Sequence, residues 1–499
     1  MSTSVDAPRL ERNAVGLLPT LFQSITHMAP AAAVAFSIIV GAPYAGGSLP
    51  LAVLLALVAC LLVAISIGQL ARHLPSAGGL YTFSARGLGA PIGFLVAWGF
   101  MMAEPIVAPL LYLIFGNELA ANLNSHFGWP LWLWAPFAAV AGLIVWALVY
   151  RGIRLSTRTG VALGAFEIVV FAALALTLII SAGGHNTLSV FGAHTGNANG
   201  LGSVFPGMIF AVLAFVGFEA SAPLGEEARD PRRTIPRAVF LSALLIGLFY
   251  LFTSYAATVY FGPDKMADPK NGFALFNNSD PWSGMAQAVW GAGVIVVILA
   301  VLNSALANSN AGATAATRVG YALGRIGLLP RAFSRIHPRF KTPYIAVHVQ
   351  ALGGIVLAIA LGAATGSPLN AFALLGTVAT IIVVAIYILT NLSNLIFYLR
   401  ERREEFNLFT NAIVPIVGSI IFLPALVAAF GINFLGLGIQ PLSSPANLAP
   451  IIIGVWMVIG IVLLVYFRTT DPSRITQTGK VFLDEPALVP TPEEAEVRR

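Results

Sequence analysis

Long apolar runs alternate with short polar gaps along almost the whole chain, and this alternation constrains the fold more than any other feature. Windows of about 19 residues place spans near 15–40, 49–71, 91–121, 131–150, 159–182, 203–223, 236–261, 284–316, 343–365, 369–398, 410–433 and 447–467. Each is about long enough to cross the hydrocarbon core as a helix, which takes roughly 20 residues. The composition agrees, with 58% hydrophobic and 10% charged residues, where a soluble chain carries about 25% charged. A water-soluble enzyme is excluded on that ground. At roughly 40 residues per span and connection, 499 residues leave no room for a large catalytic domain outside the membrane. The expectation is an all-α integral membrane protein with twelve transmembrane helices and no enzymatic role.

An even number of spans puts both termini on one side. All but two of the 27 Lys and Arg residues fall on that side, the exceptions being Lys265 and Lys270. Cationic loops are retained in the cytoplasm during insertion, so both termini are expected to be cytoplasmic. Residues 1–14 read as a retained polar tail, since they lack the apolar segment and cleavage site of a secretory signal. Residues 468–499, rich in Pro, Glu and Arg, read as a disordered tail. The formal charge of +6 does not point to nucleic acid, because the basic residues are scattered singly through the loops. The lone Cys60 rules out a disulfide framework and a multi-cysteine metal site. No Walker loop, HExxH or nucleophile elbow occurs, so neither cofactor nor metal is expected. Trp129, Trp132, Trp134 and Trp282 lie near predicted outer boundaries and read as interfacial anchors, with ligand contact as the alternative.

Three acids lie within spans, and a charge in hydrocarbon costs at least about 2.5 kcal/mol, which makes each a candidate functional group. Glu104 precedes Pro105 in FMMAEPIVAPL, where proline frees a carbonyl one turn earlier. Such a spot suits an ammonium; a protonated Glu bonded to a neighbouring helix is the plainer alternative. Glu219 follows Gly217 in a span also punctuated by Pro206, Gly207 and Pro223. Irregular backbone at membrane depth is tolerated where it is buried in protein or lines a cavity, so residues 214–219 read as an unwound binding stretch. Close packing of small residues is the other explanation for the glycines. Glu167, in GVALGAFEIVVF, has no irregularity beside it and fits a proton path or a bond to another helix equally well.

The first span carries a matching interruption in SITHMAPAAAVAFS, where Pro30 breaks the ladder and Ala29, Ala31 and Ala32 let a ligand approach the backbone. His27 beside it is a candidate for proton exchange or a packing residue. The interrupted helices are the first and the sixth, equivalent positions in two consecutive five-span units of opposite orientation, which is the pattern of a secondary transporter with a site at the membrane midplane. In the eighth span Asn303, Ser304, Asn308, Ser309 and Asn310 crowd one helix and either bond across helices or ligate an ion.

Three stretches, PSAGGLYTFSARGLG, GFEASAPLGEEARDPRRTIPRA and NAGATAATRVGYALGRIGLLPRAFSRIHPRFKTP, together resemble the amino acid-polyamine-organocation superfamily of permeases. The resemblance implies a leucine-transporter-like fold: a first five-helix repeat over 15–182, a second inverted repeat over 203–398, and two additional helices over 410–467. It also implies alternating-access transport of amino acids or amines. The family's unwound sixth-helix segment falls on Ala214, Phe215, Val216, Gly217 and Phe218, with Glu219 at its common acidic position, and Phe215 or Phe218 would gate the pocket. Its first-helix pattern falls on Met28, Ala29, Pro30, Ala31 and Ala32, which lack the usual glycines, so the grip on an α-carboxylate is weakened. Arg229, Arg232, Arg233, Arg325 and Arg331 either close an inner gate with Glu226, Glu227 and Asp230 or simply obey the orientation rule.

The expected function is import of an amino acid or small amine, with protons as the coupling ion and a tilt toward cationic substrates. His27, Glu167, Asn308 and Ser309 are the coupling candidates. Alternatives are an antiporter of the same fold, an ion channel or potassium uptake protein, and a nutrient sensor. The plasma membrane is the location expected of a bacterial-type permease. The sequence sets no oligomeric state.

Overall fold

A computed structural model describes residues 13–432 and 441–479. The described residues are helical, with no named strand and a single isolated bridge joining Val15 to Ala228. Ten stretches are long and apolar enough to cross a membrane, the first of them, Leu17–Ala71, containing a turn at Gly46–Ser48. Twelve apolar segments are reached only by dividing that stretch and adding the shorter helix Leu201–Phe215.

Helix lengths follow the uninterrupted apolar runs. Ala90–Phe127 has 38 residues, about 57 Å at 1.5 Å per residue, well beyond the roughly 30 Å of hydrocarbon. Val294–Arg325 and Pro368–Arg400 are nearly as long. Ala90–Phe127 and Pro368–Arg400 are the most buried and form the scaffold at the centre, whereas Ala449–Thr470 lies at the periphery. On that last helix Ile451, Val455, Val458, Val462 and Val465 form an exposed stripe at helical spacing, an apolar face that suits lipid rather than water. Its opposite face is pinned by Trp456, stacked on Trp98 at 4.4 Å, each indole donating to the other residue's carbonyl. The indole of Trp98 leaves no room for a side chain at Gly460.

Two features of the fold bring the interrupted helices together. Ile38–Ala45 crosses Leu201–Phe215 at Gly41 and Gly207, where a Cβ on Gly41 would lie 2.9 Å from the Gly207 carbonyl oxygen. Without side chains there, the two backbones approach as small-residue helix contacts in membranes do. At the arginine-rich end the backbone of Val15 pairs with Glu227 and Arg229, tying the start of the first helix to the segment after the sixth.

The C-terminal segment is more ordered than its composition suggests. Pro472–Thr476 and Gln477–Gly479 fold back beneath the helices, Arg474 donates to the Gly327 carbonyl at 3.1 Å, and Thr478 is buried. Local polarity misses this order because the segment is held by contacts with residues far away in sequence. The rest of the proposed C-terminal tail, 480–499, and residues 1–12 of the N-terminal one lie outside the described residues.

Gly207→Val would place its branched side chain against Ala45, whose Cβ is already 2.7 Å from the position of an added Cβ. Overpacking of this kind costs about 1–3 kcal/mol. The variant is expected to insert in the membrane, to lower the thermal midpoint of the detergent-solubilised protein, and to lose transport.

Candidate functional site

The first interruption follows from one proline. Leu17–His27 ends at Met28, and Ala29 adopts φ 48° and ψ 66°. Proline disfavours the right-handed helical conformation in the residue before it, so Ala29 cannot continue the helix, and the left-handed alternative costs about 1–2 kcal/mol for a non-glycine residue. Pro30 then starts the second half-helix, where its missing N–H is no loss. The next two amides find side chains: Ala31 donates to Glu167 Oε2 at 3.0 Å and Ala32 to Ser304 Oγ at 3.0 Å. Ala33 donates to the Ala29 carbonyl at 2.7 Å.

The second interruption follows from one glycine. Leu201–Phe215 ends at Val216, and Gly217 takes φ 118°, a value side-chain-bearing residues rarely adopt. A Cβ there would also lie 2.7 Å from the His27 ring, so the two interruptions are in direct contact. Glu219 turns back, accepting from the Gly217 amide at 3.1 Å and from the Tyr387 hydroxyl at 2.7 Å. The Ser221 amide donates to Ser24 Oγ on the first helix at 3.1 Å. Tyr250 joins the two broken ends, its hydroxyl lying 2.6 Å from the Met28 carbonyl oxygen and 2.9 Å from that of Ala214, sharing its hydrogen between them.

A small cavity of ≈ 30 Å³ sits against the breaks. His27, Met28, Ala29 and Ala32 line it from the first helix, Leu213 and Val216 from the sixth, and Asn308 from the eighth. Its polar wall is unsatisfied: both ring nitrogens of His27, one a donor and one an acceptor in the neutral imidazole, and the acceptor Asn308 Oδ1 are buried without a hydrogen-bond partner. Behind His27, Glu104 Oε2 is also unpartnered and lies 3.9 Å from His27 Nε2. Phe372 lines this cavity and also a larger one of ≈ 510 Å³ that includes Phe36, Tyr44 and Leu369. Phe36 and Phe372 meet edge to face at 6.4 Å, an aromatic barrier between the two spaces.

Of the sequence-derived candidates, His27, Met28, Ala29, Ala32, Val216 and Asn308 line the cavity and the others lie around or away from it. Phe215 packs on Tyr250 and Phe218 on Tyr387, both fully buried, and the aromatic ring at the cavity is Phe372. Pro30 and Ala31 shape the half-helix without lining the cavity, and Ser309 donates to Ala305 within its own helix. Glu167 serves the first-helix backbone although no irregularity marks it in its own span. Tyr250 and Tyr387 escape sequence reasoning; their signal is a lone hydroxyl in an apolar helix, which many packed tyrosines share. Glu118 is a further buried acid in the third helix, accepting from Asn122.

The opposite side of the site is closed by one buried and one partly buried ion pair. Arg318 forms a two-pronged bridge to Glu227 at 3.1 and 3.3 Å with both side chains 1% exposed, and Arg325 grips Glu226 at 2.7 and 3.0 Å. Glu226 also accepts from the Ala77 amide, which clamps the Pro75–Gly79 turn under the sixth helix. Of the anticipated arginines, Arg325 is in this closure. Arg229 instead donates to the Asn13 carbonyl, and Arg233 reaches Asp230 only at 3.7 Å on the surface. Arg318→Ala would strand the Glu227 carboxylate, a loss expected to cost about 3–5 kcal/mol. Thermal unfolding should show this, and Arg318→Met combined with Glu227→Leu should recover most of it.

A profile described as amino acid permease matches residues 16–464. The chain is 28% identical over 364 residues to the low-affinity putrescine importer PlaP of Escherichia coli, covering 69% of this chain and 74% of that protein. It is 26% identical over 325 residues to the branched-chain amino acid permease BcaP of Bacillus subtilis, covering 61% and 66%. Cationic amino acid transporter 4 of mouse is 28% identical over 332 residues, 64% of this chain and 50% of that one. With the profile spanning nearly the whole helical bundle, the chain belongs to the amino acid permease family of the amino acid-polyamine-organocation superfamily.

Proposed function

We propose that this permease is a secondary transporter importing amino acids or small amines across the plasma membrane, coupled to protons and biased toward cations. The observation that carries this reading is the contact of two helix interruptions beside a small cavity whose buried polar atoms lack partners. Asn308 Oδ1 and the unprotonated ring nitrogen of His27 are acceptors an ammonium group can use. Glu104, a buried carboxylate behind His27, would supply the opposing charge.

In this reading the chain comprises a five-helix repeat over 15–182, an inverted one over 203–398, and two further helices, with both termini cytoplasmic. Alternating access would rock the interrupted helices about the site. Phe36 and Phe372 would then part on the arginine-poor side, and the Arg318–Glu227 and Arg325–Glu226 bridges on the other. His27, Glu104 and Glu219 would exchange the coupled proton. The likeness to a putrescine importer and to a cationic amino acid transporter supports the cationic bias.

Uptake into proteoliposomes tests this directly. An inward proton gradient should accelerate accumulation of an amine or amino acid, and a protonophore should abolish the acceleration; counterflow indifferent to the gradient would replace symport by exchange. Glu104→Gln, which removes the carboxylate behind His27, is expected to weaken amine-bearing substrates, read as a rise in the half-saturating concentration for uptake. Unchanged uptake of every amine tested would remove Glu104 from the site. Glu219→Ala should abolish transport while leaving insertion intact, because the Gly217 amide and the Tyr387 hydroxyl lose their common acceptor.

A further inference from the structure

The N-terminus of a half-helix buried in a membrane protein attracts anions, since its first amides lack intrahelical acceptors and carry the positive end of the helix dipole. The half-helix beginning at Pro30 is of this kind, continuing through a π turn into Ile38–Ala45. Its donors are already used. Pro30 has no N–H, Ala31 donates to Glu167, Ala32 to Ser304, and Ala33 back to Ala29. A completely buried glutamate thus takes the first available amide of this break. The facing interruption has its donors committed too, with the Gly217 amide on Glu219 and the Ser221 amide on Ser24.

We propose that Glu167 is a specificity determinant: a built-in carboxylate that fills the anion site of the first helix break, so the permease selects amines without an α-carboxylate over the corresponding amino acids. This rests on the amine-transport reading above and narrows it. Two independent features of the cavity agree. His27 and Asn308 present buried, unpartnered atoms to it, and Glu104 stands behind His27. An ammonium can donate to Asn308 Oδ1 and to the unprotonated ring nitrogen of His27, while an α-carboxylate finds no spare amide at the break, where Ala31 and Ala32 already donate to side chains. Displacing Glu167 would leave a buried acid without its partner, and that cost raises the discrimination further.

The test is equilibrium binding to the purified full-length protein, by competition, with matched pairs that differ only in the carboxylate: putrescine against ornithine, cadaverine against lysine, and agmatine against arginine. At least one amine should bind ten- to a hundredfold more tightly than its amino acid, as expected for about 1.5–3 kcal/mol of charged hydrogen bonding. Glu167→Ala, which frees the Ala31 amide and opens space beside it, should cut that ratio at least tenfold by strengthening the amino acid. Glu167→Gln, whose amide oxygen still accepts from Ala31, should keep the preference. Amino acids binding the wild type as tightly as the amines would overturn the proposal while leaving the transporter reading intact. A ratio unchanged in a folded Glu167→Ala protein would overturn the role of Glu167. If none of the six compounds bound, both readings would fall. Should Glu167→Ala fail to fold, the wild-type pairs and Glu167→Gln still decide, the latter failing the proposal if its preference vanishes.

Discussion

Hydrocarbon supplies no hydrogen-bond partners, so every backbone amide and carbonyl released at Ala29 and Gly217 has to be satisfied from within the protein. A polar group left bare in an apolar medium costs roughly 2–7 kcal/mol, and two helix breaks release several at once. Side chains from the helices around them meet this demand. Glu167 and Ser304 take the amides of one break, Glu219 and Ser24 those of the other, and Tyr250 bridges the carbonyls of both. The breaks are thereby held as parts of one polar knot, and the surrounding helices have to lie where these side chains can reach.

The same constraint explains the distribution of charge. Two of the buried acids act largely as hydrogen-bond acceptors for backbone, which leaves Glu104, the His27 ring and Asn308 Oδ1 as polar groups at or behind the cavity without a hydrogen-bond partner. Toward the arginine-rich end, carboxylates are instead matched by guanidinium groups, the buried Glu227 by Arg318 and the partly buried Glu226 by Arg325. A buried pair of this kind contributes little net stability relative to apolar packing, but it is costly to break by half. It therefore suits a closure that must hold in one state and separate as a unit in another. The thin aromatic contact of Phe36 with Phe372 on the other side is far easier to part.

Much of the architecture is legible from residues alone. Apolar run length sets helix length, Pro30 and Gly217 mark the interruptions, and the burial cost of Glu104, Glu167 and Glu219 singles them out. What local pattern cannot supply is which side chain answers which backbone group. Glu167 lies 136 positions from Ala31, and Tyr250 reaches Met28 across 222. Phe215 and Phe218 sit beside the break in sequence yet turn into the packing against tyrosines, while Phe372, remote in sequence, reaches the cavity. Arg318 reads as an ordinary loop-side arginine until the helix bearing it is seen to carry the guanidinium onto Glu227.

The sequence by itself determined that the chain lives in a bilayer, roughly where its helices begin and end, and where two of them must break, because hydropathy, proline and glycine act through the backbone within a turn or two. Only the tertiary structure decided that the breaks touch, that the Glu167 side chain takes an amide of the first of them, and that unpartnered polar atoms of His27 and Asn308 line the cavity. Those outcomes depend on helix crossings that place atoms from distant segments within about 3 Å, a hydrogen-bond length no local pattern encodes.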